Sequence, residues 1–483
     1  MTANARPDRH GTVWLLIILS VVAYANAFAG AFVFDDPAVL FADRRLQSFG
    51  AFAASVGETI RPFAKATFLL DRWLYGDRPA GYHALNLLLH LASGLLVYRI
   101  LCHPAMKVGD RAVAFWTTLL FLLHPIATET VTYISGRPTG LMTCAYLAAF
   151  LLLLDARGAE PGGSRQKAVL AWAAVCLALA LLAKEVAVIF PALLLLYEAV
   201  LGRPQRAGRG ELLRRVHLPL SAVVALFLAY AAFHDRYAFL FQYSLRLRGW
   251  ADNLLTQANA VVYAMTLFVR PAQLNFEHDL PLATSILQGP TPWSIATIAG
   301  LVVAALMLVR RAPLVAFGIL WFFLHLLPTN SILPRYDLLS ERNLYLPSIG
   351  LYLAATASAF AIARWLRSRM EARGVARWAT GRGHAVAAAM GAALALGLVG
   401  LTVSRNAAYA DPVTFWSDAV AKSPHKSRPH TNLGVALSVA GDLERAIEQF
   451  RIALALDPLD PVAQRNLLAT WNRLTQPAAR ARP

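Results

Sequence analysis

Apolar residues run in long blocks along this chain, and polar residues gather between the blocks. Eleven blocks predict membrane-spanning helices, at about 12–31, 84–101, 112–126, 139–155, 168–183, 185–201, 216–233, 292–309, 312–328, 344–363 and 385–403. Each approaches the roughly twenty residues needed to cross a hydrocarbon core. A further apolar stretch, Thr256 to Val269, is shorter, and counting it as a span would move Arg310-Arg311 and the basic loop 364–383 to the opposite side. It is therefore read as an external or re-entrant helix, a form tolerated where protein or a water-filled cavity surrounds it. The alternative is a twelfth span with inverted topology downstream.

Of the 483 residues, 57% are hydrophobic and only 15% charged, which excludes an ordinary globular domain and implies a polytopic membrane protein. The net charge of +17 would point to nucleic acid in a soluble protein. Here arginines crowd into short loops: Arg203, Arg206, Arg209, Arg214 and Arg215 in one, six more in 364–383, and the Arg310-Arg311 turn. The positive-inside rule makes these loops cytoplasmic, so no nucleic-acid partner is expected. Arg6 and Arg9 before the first block predict an uncleaved anchor. Cys102, Cys144 and Cys176 fall in or beside spans and imply no disulfide framework, and no Cys/His spacing matches a metal site. The opposite face collects 32–83, 124–138, 183–186, 234–291, 329–343 and everything after 403.

The C-terminal tail carries a repeat pattern. Asn432-Leu433-Gly434, Gly441-Asp442, Ala446, Phe450, Ala453 and Pro458 match the offsets of a tetratricopeptide repeat, with Ala446 at the close helix contact. His430 and Leu437 stand at the usual Trp and Tyr positions. One repeat with flanking halves is too short to bury its own core, so the tail should lean on the membrane domain. The expected domains are 1–404, a membrane unit; 405–475, a repeat unit; and 476–483, a disordered tail. The fold class is all-α.

Ionisable residues recur at span exits on the non-cytoplasmic face. Asp35-Asp36 follows the first span, with Arg61 and Lys65 in the same loop. His83, Asn86 and His90 share one face of the second span, at helical spacings of three and four. His124-Pro125 leads through Glu129 to Gly136-Arg137; Lys184-Glu185 forms a tight turn; Arg335-Tyr336-Asp337 and Ser340-Glu341-Arg342 precede Tyr345 and Pro347-Ser348. Each has a plain structural explanation. Asp35-Asp36 would cap a helix starting at Pro37, the histidines would be satisfied core residues, Lys184-Glu185 a polar turn, and Glu129 would pair with Arg137. Charge at span borders is expensive, however, and marks substrate paths. A carboxylate beside clustered cations suits transfer of a group from a lipid-linked phosphate. The cations hold the phosphate, and the carboxylate takes a proton from the attacking hydroxyl.

Together these motifs and the tail resemble the GT-C glycosyltransferases, and more narrowly the transmembrane-and-tetratricopeptide-repeat O-mannosyltransferases and their bacterial relatives. The resemblance implies an external or lumenal active face, a polyprenyl-phosphate-linked sugar donor and a protein or glycan acceptor; the Ala/Arg-rich composition suggests a bacterium, which makes that face the periplasmic side of the inner membrane. It implies Asp36, or Asp35, as general base and Glu129 as a second acid. Arg137, Lys184, Arg342 and Arg61 become donor-phosphate contacts, and His83, Asn86, His90, His124, Glu185, Arg335, Glu341 and Tyr345 further site candidates. No cofactor is required; Asp35, Asp36 and Glu129 would hold one divalent ion if their loops met. Two positions depart from the family pattern: Ala127 stands where a second His is usual, and Pro138-Thr139 where Ala-Asp is usual. Alternatives that keep the fold are aminoarabinose-transferase-like and O-antigen-ligase-type enzymes; a membrane scaffold is the non-enzymatic one.

Overall fold

A computed structural model describes residues 9–202, 209–372 and 381–475. Arg6, Arg203, Arg206, the middle of the 364–383 loop and the 476–483 segment lie outside the described residues. Among the described residues every regular element is helical. Eight helices among these residues are long and apolar enough to cross a membrane: His10–Ala29, Pro79–Cys102, Ile134–Gly158, Ser164–Ala183, Leu213–Phe233, Thr291–Leu308, Glu341–Met370 and Ala385–Ala407. The chain is a multi-pass membrane protein.

The other three predicted spans are bent, interrupted or short rather than straight helices of full length. The 112–126 block is helix Arg111–Leu123 followed by Pro125–Val131, bent by 51°. Pro125 has no N–H to continue the ladder, and His124 Nδ1 accepts from the Ile126 N–H at 3.2 Å instead. The 185–201 block breaks after Lys184 into a 3-10 turn, Glu185–Ile189, and an eleven-residue helix, Phe190–Val200. The 312–328 block is the fourteen-residue helix Pro313–Leu326. At 1.5 Å per residue such helices reach only about 17–21 Å. Sequence composition alone does not show where a helix is interrupted by residues drawn into a site.

Helix Trp250–Leu267 covers the stretch read as external or re-entrant, and begins earlier than the apolar run. Its polar residues hold the 329–340 loop: Asn253 Nδ2 donates to the Ser331 carbonyl at 2.6 Å, and Gln257 Nε2 to the Leu338 carbonyl at 3.1 Å. A lipid-facing span would leave these amides unsatisfied.

The tail is four helices, Pro412–Lys422, Ser427–Ala440, Leu443–Leu456 and Pro461–Thr475. Asp411 caps the first by accepting from the Val413 and Thr414 N–H groups, both at 2.9 Å. Ala446 is fully buried, and Phe450 lies on Gly434, where a Cβ would stand 2.6 Å from the ring. The tail shares its core with the membrane unit: Val33 and Tyr133 pack in one cluster with Phe415, Trp416, Leu433 and Phe450. Polar contacts reinforce the seam. Arg405 pairs with Asp418 at 2.7 Å, and Lys422 Nζ donates to the Leu274 carbonyl at 2.8 Å.

Candidate active site

The loops singled out from sequence enclose one cavity of about 990 Å³ at one end of the bundle. Its polar wall comes from Asp35, Arg61, Lys65, Lys184-Glu185, Arg335, Asp337 and Arg342. Five cationic side chains face three carboxylates. The opposite wall is apolar, built by Leu228 and Ala231 of helix Leu218–Phe233 and by Leu240 and Phe241 of helix Asp235–Leu247. A charged floor beside an apolar wall suits a ligand with an anionic head and a hydrocarbon tail.

The two aspartates part company. Asp36 is fully buried and off the cavity. Its Oδ1 accepts from the Ser135 N–H at 2.8 Å and the Ser135 hydroxyl at 2.6 Å, and its Oδ2 from the Val33 N–H at 3.0 Å. Burial pushes its pKa up to about 7. This carboxyl, the sequence's first choice as base, ties two loops together. The π-helical turn Ala38–Ala42, with Pro37 at its N-cap position, receives no side-chain cap. Asp35 is half-buried and lines the cavity. Burial raises its pKa, while Arg342 and Arg428 oppose the rise.

What points Asp35 inward is the residue before it. Phe34 has φ of +51°, in the left-handed region. A side chain with a Cβ pays about 1–2 kcal/mol there. Its ring sits edge-on between Phe276 and Trp416, with both centroids at 5.3 Å. Such contacts contribute about 0.5–1.5 kcal/mol each and offset the strain. Arg61, also on the cavity, is left-handed too, with φ of +54°.

The cations differ in how they are held. Arg61 forms a two-pronged pair with Glu185, Nε to Oε2 at 3.0 Å and Nη2 to Oε1 at 2.7 Å. Burial pushes the Glu185 carboxyl up, yet Arg61 holds it below the usual range. Lys184 is buried and donates only to neutral oxygens, Thr139 Oγ1 at 2.8 Å and Asn343 Oδ1 at 3.1 Å. Burial, reinforced by Arg61, Arg342 and Arg335, lowers its pKa well below the usual value. Among the described residues the Arg335 guanidinium makes no ion pair or hydrogen bond, and burial lowers its pKa. Lys184-Glu185 is thus part of the cavity and more than a polar turn between helices.

Several sequence candidates stand behind the cavity. Arg137 is completely buried: it pairs with Asp71 at 2.6 Å, donates to Asn86 Oδ1 at 2.8 Å and the Tyr82 carbonyl at 3.0 Å, and lies over the Phe68 ring. Its guanidinium is used up, which corrects its reading as a phosphate contact and as the partner of Glu129. Glu129 accepts from the Ser340 hydroxyl at 2.8 Å and the Arg342 N–H at 2.9 Å, so it braces Arg342 and has no cavity face. His90 bridges the Tyr345 hydroxyl at 2.7 Å and the Leu122 carbonyl at 3.0 Å. His83 contacts the Gly30 carbonyl at 3.4 Å, and His124 the Phe268 carbonyl at 3.0 Å. Glu341 accepts from His278 at 3.0 Å. These four, with Asn86 and Tyr345, are framework rather than cavity lining. Among the described residues no three His, Cys, Asp or Glu side chains gather as ligands.

Sequence reasoning missed the apolar wall of Asp235–Leu247, whose signal was an amphipathic period inside a polar loop. It also missed Phe276 and Trp416, distant in sequence from Asp35, and Arg428, which ion-pairs with Glu277 and with Asp337 on the cavity wall.

No protein-family profile matches the chain. It is similar to a protein O-mannosyl-transferase of Caenorhabditis elegans, 23% identical over 92% of this chain and 62% of that protein. It is likewise similar to human protein O-mannosyl-transferase TMTC3, 23% identical over 96% of this chain and 53% of the relative. The chain therefore spans less than two thirds of the length of these relatives. Among solved structures, ArnT of Cupriavidus metallidurans bound to undecaprenyl phosphate superposes with TM-score 0.41 at 17% identity, over 97% of this chain and 78% of that one. The oligosaccharyltransferase AglB of Archaeoglobus fulgidus, in complex with an inhibitory peptide and a dolichol-phosphate, gives 0.47 at 14%, over 82% and 55%.

Proposed function

We propose that this protein is a membrane glycosyltransferase that moves a sugar from a polyprenyl-phosphate carrier to a hydroxyl group on a protein, on the periplasmic face. The observation that carries this is the single cavity in which a half-buried carboxylate, Asp35, shares a wall with Arg61, Lys65, Lys184, Arg335 and Arg342 beside an apolar surface. Similarity to protein O-mannosyl-transferases over nearly the whole chain supports the protein acceptor.

In this reading the carrier's isoprenoid lies on the apolar wall and its phosphate on Lys184, Arg335 and Arg342. The acceptor oxygen attacks the anomeric carbon while the sugar–phosphate bond breaks. The hydroxyl proton passes to Asp35, and the electron pair leaves with the phosphate, which gains a negative charge. Cations fixed in a partly water-excluded site stabilise that growing charge without reorganising. The phosphate departs as a stable anion, so the step requires no acid partner.

The test replaces Asp35 and Asp36 separately. With Asp35→Asn, periplasmic proteins should lose their glycan by mass spectrometry while the protein keeps its thermal stabilisation by undecaprenyl phosphate. With Asp36→Asn, transfer should persist in whatever fraction folds. Undiminished glycosylation in Asp35→Asn cells would refute the assigned base.

A further inference from the structure

We infer that the C-terminal helical tail is a positioning element of the catalytic site: Trp416 clamps Phe34 in its left-handed conformation and thereby sets Asp35 on the cavity wall. This rests on the reading of Asp35 as base, and it assigns the tail a task other than capturing partners.

The contacts form a short chain from tail to cavity. Trp416 is buried in helix Pro412–Lys422, and its ring meets Phe34 at 5.3 Å and 78°. Phe276, from the loop after helix Trp250–Leu267, closes the other side of Phe34 at 5.3 Å and stacks edge-on with Phe415 of the tail at 4.7 Å. Tyr133, which packs on Phe276 at 5.4 Å, completes the box. The Asp36 N–H donates to the Val33 carbonyl at 3.0 Å and Asp36 Oδ2 accepts from the Val33 N–H at 3.0 Å, closing the turn at its backbone. The rings seat the Phe34 side chain at φ of +51° against the lower-energy extended and right-handed regions. Relaxation of that one residue would swing the Asp35 carboxylate away from Arg342. A second contact ties the same tail to the same wall, since Arg428 bridges Glu277 and Asp337 and lies over the Tyr336 ring at 4.6 Å. Tail and cavity therefore meet at two points, through Phe34 and through Asp337.

The test uses the full chain in detergent, with Cys102, Cys144 and Cys176 replaced by alanine and Asp35→Cys introduced as a reporter. Maleimide labelling of the reporter reads its exposure to the cavity. Adding Trp416→Ala should change the labelling rate about fivefold or more, a displacement of the size that costs catalysis heavily. Trp416→Phe, which keeps an aromatic edge, should restore the rate. Phe34→Leu leaves the tail's own core intact and should reproduce the change if Trp416→Ala does not fold. With Asp35 in place, Trp416→Ala should cut periplasmic glycan occupancy about tenfold, and Trp416→Phe should not. Equal labelling rates with Trp416, with Trp416→Ala and with Phe34→Leu would overturn the clamp. The donor reading is tested apart from it, by whether undecaprenyl phosphate slows labelling of the reporter when Trp416 is intact.

Discussion

Two neighbouring aspartates show how little a residue's identity says about its work. Asp36 meets three donors and no solvent; Asp35 meets the cavity and two distant arginines. Burial raises the Asp35 pKa, and a general base acts only when deprotonated, so activity is lost as pH falls through that raised value. The acid limb of the pH–rate profile should therefore lie above that of an ordinary aspartate, and Arg428→Gln should move it further up by removing an opposing charge. A limb at the ordinary aspartate position would argue against Asp35 as the titrating group. Nothing in the dipeptide Asp35-Asp36 distinguishes the two, because the difference lies in Ser135 and Val33 on one side and open volume on the other.

At the scale of elements, Arg137 illustrates a charge used for construction. It pairs with Asp71 of helix Pro62–Tyr75, bonds Asn86 and the Tyr82 carbonyl of helix Pro79–Cys102, and so fixes two helices against the start of Arg137–Gly158. Removing one partner of a fully buried pair strands the other, at a cost of about 3–5 kcal/mol. Arg137→Met should lower stability by that amount in unfolding from detergent, and Arg137→Met with Asp71→Leu should recover part of it. If the double variant were no better than the single one, the pair would not be the main term. The motif from His124 to Arg137 was visible in sequence, yet whether its charges face a ligand or a neighbouring helix depends on rotation about helices that periodicity leaves open.

For the whole molecule, the shared core of Val33, Tyr133, Phe415 and Trp416 requires the tail to lie on the same side of the membrane as Asp35. A C-terminal alkaline phosphatase fusion should be active in a bacterial host and a green fluorescent protein fusion dark. A fusion within the arginine-rich 202–215 loop should give the reverse. Matching signals at both sites would break the proposed topology.

The block pattern of apolar residues by itself determined an all-helical, multi-pass protein, because the cost of exposing backbone to lipid leaves the chain few other forms. It also located most helices and gathered Asp35, Arg61, Lys184, Glu185, Arg335 and Arg342 on one face. Only the tertiary structure decided which of the candidates share a cavity, since burial and hydrogen bonding are set by residues far away along the chain. Ser135 claims Asp36, Asp71 claims Arg137, and Ser340 with Arg342 claims Glu129. Trp416 packs on Phe34 in the turn that presents Asp35, an aromatic contact between far ends of the chain that no local pattern announces.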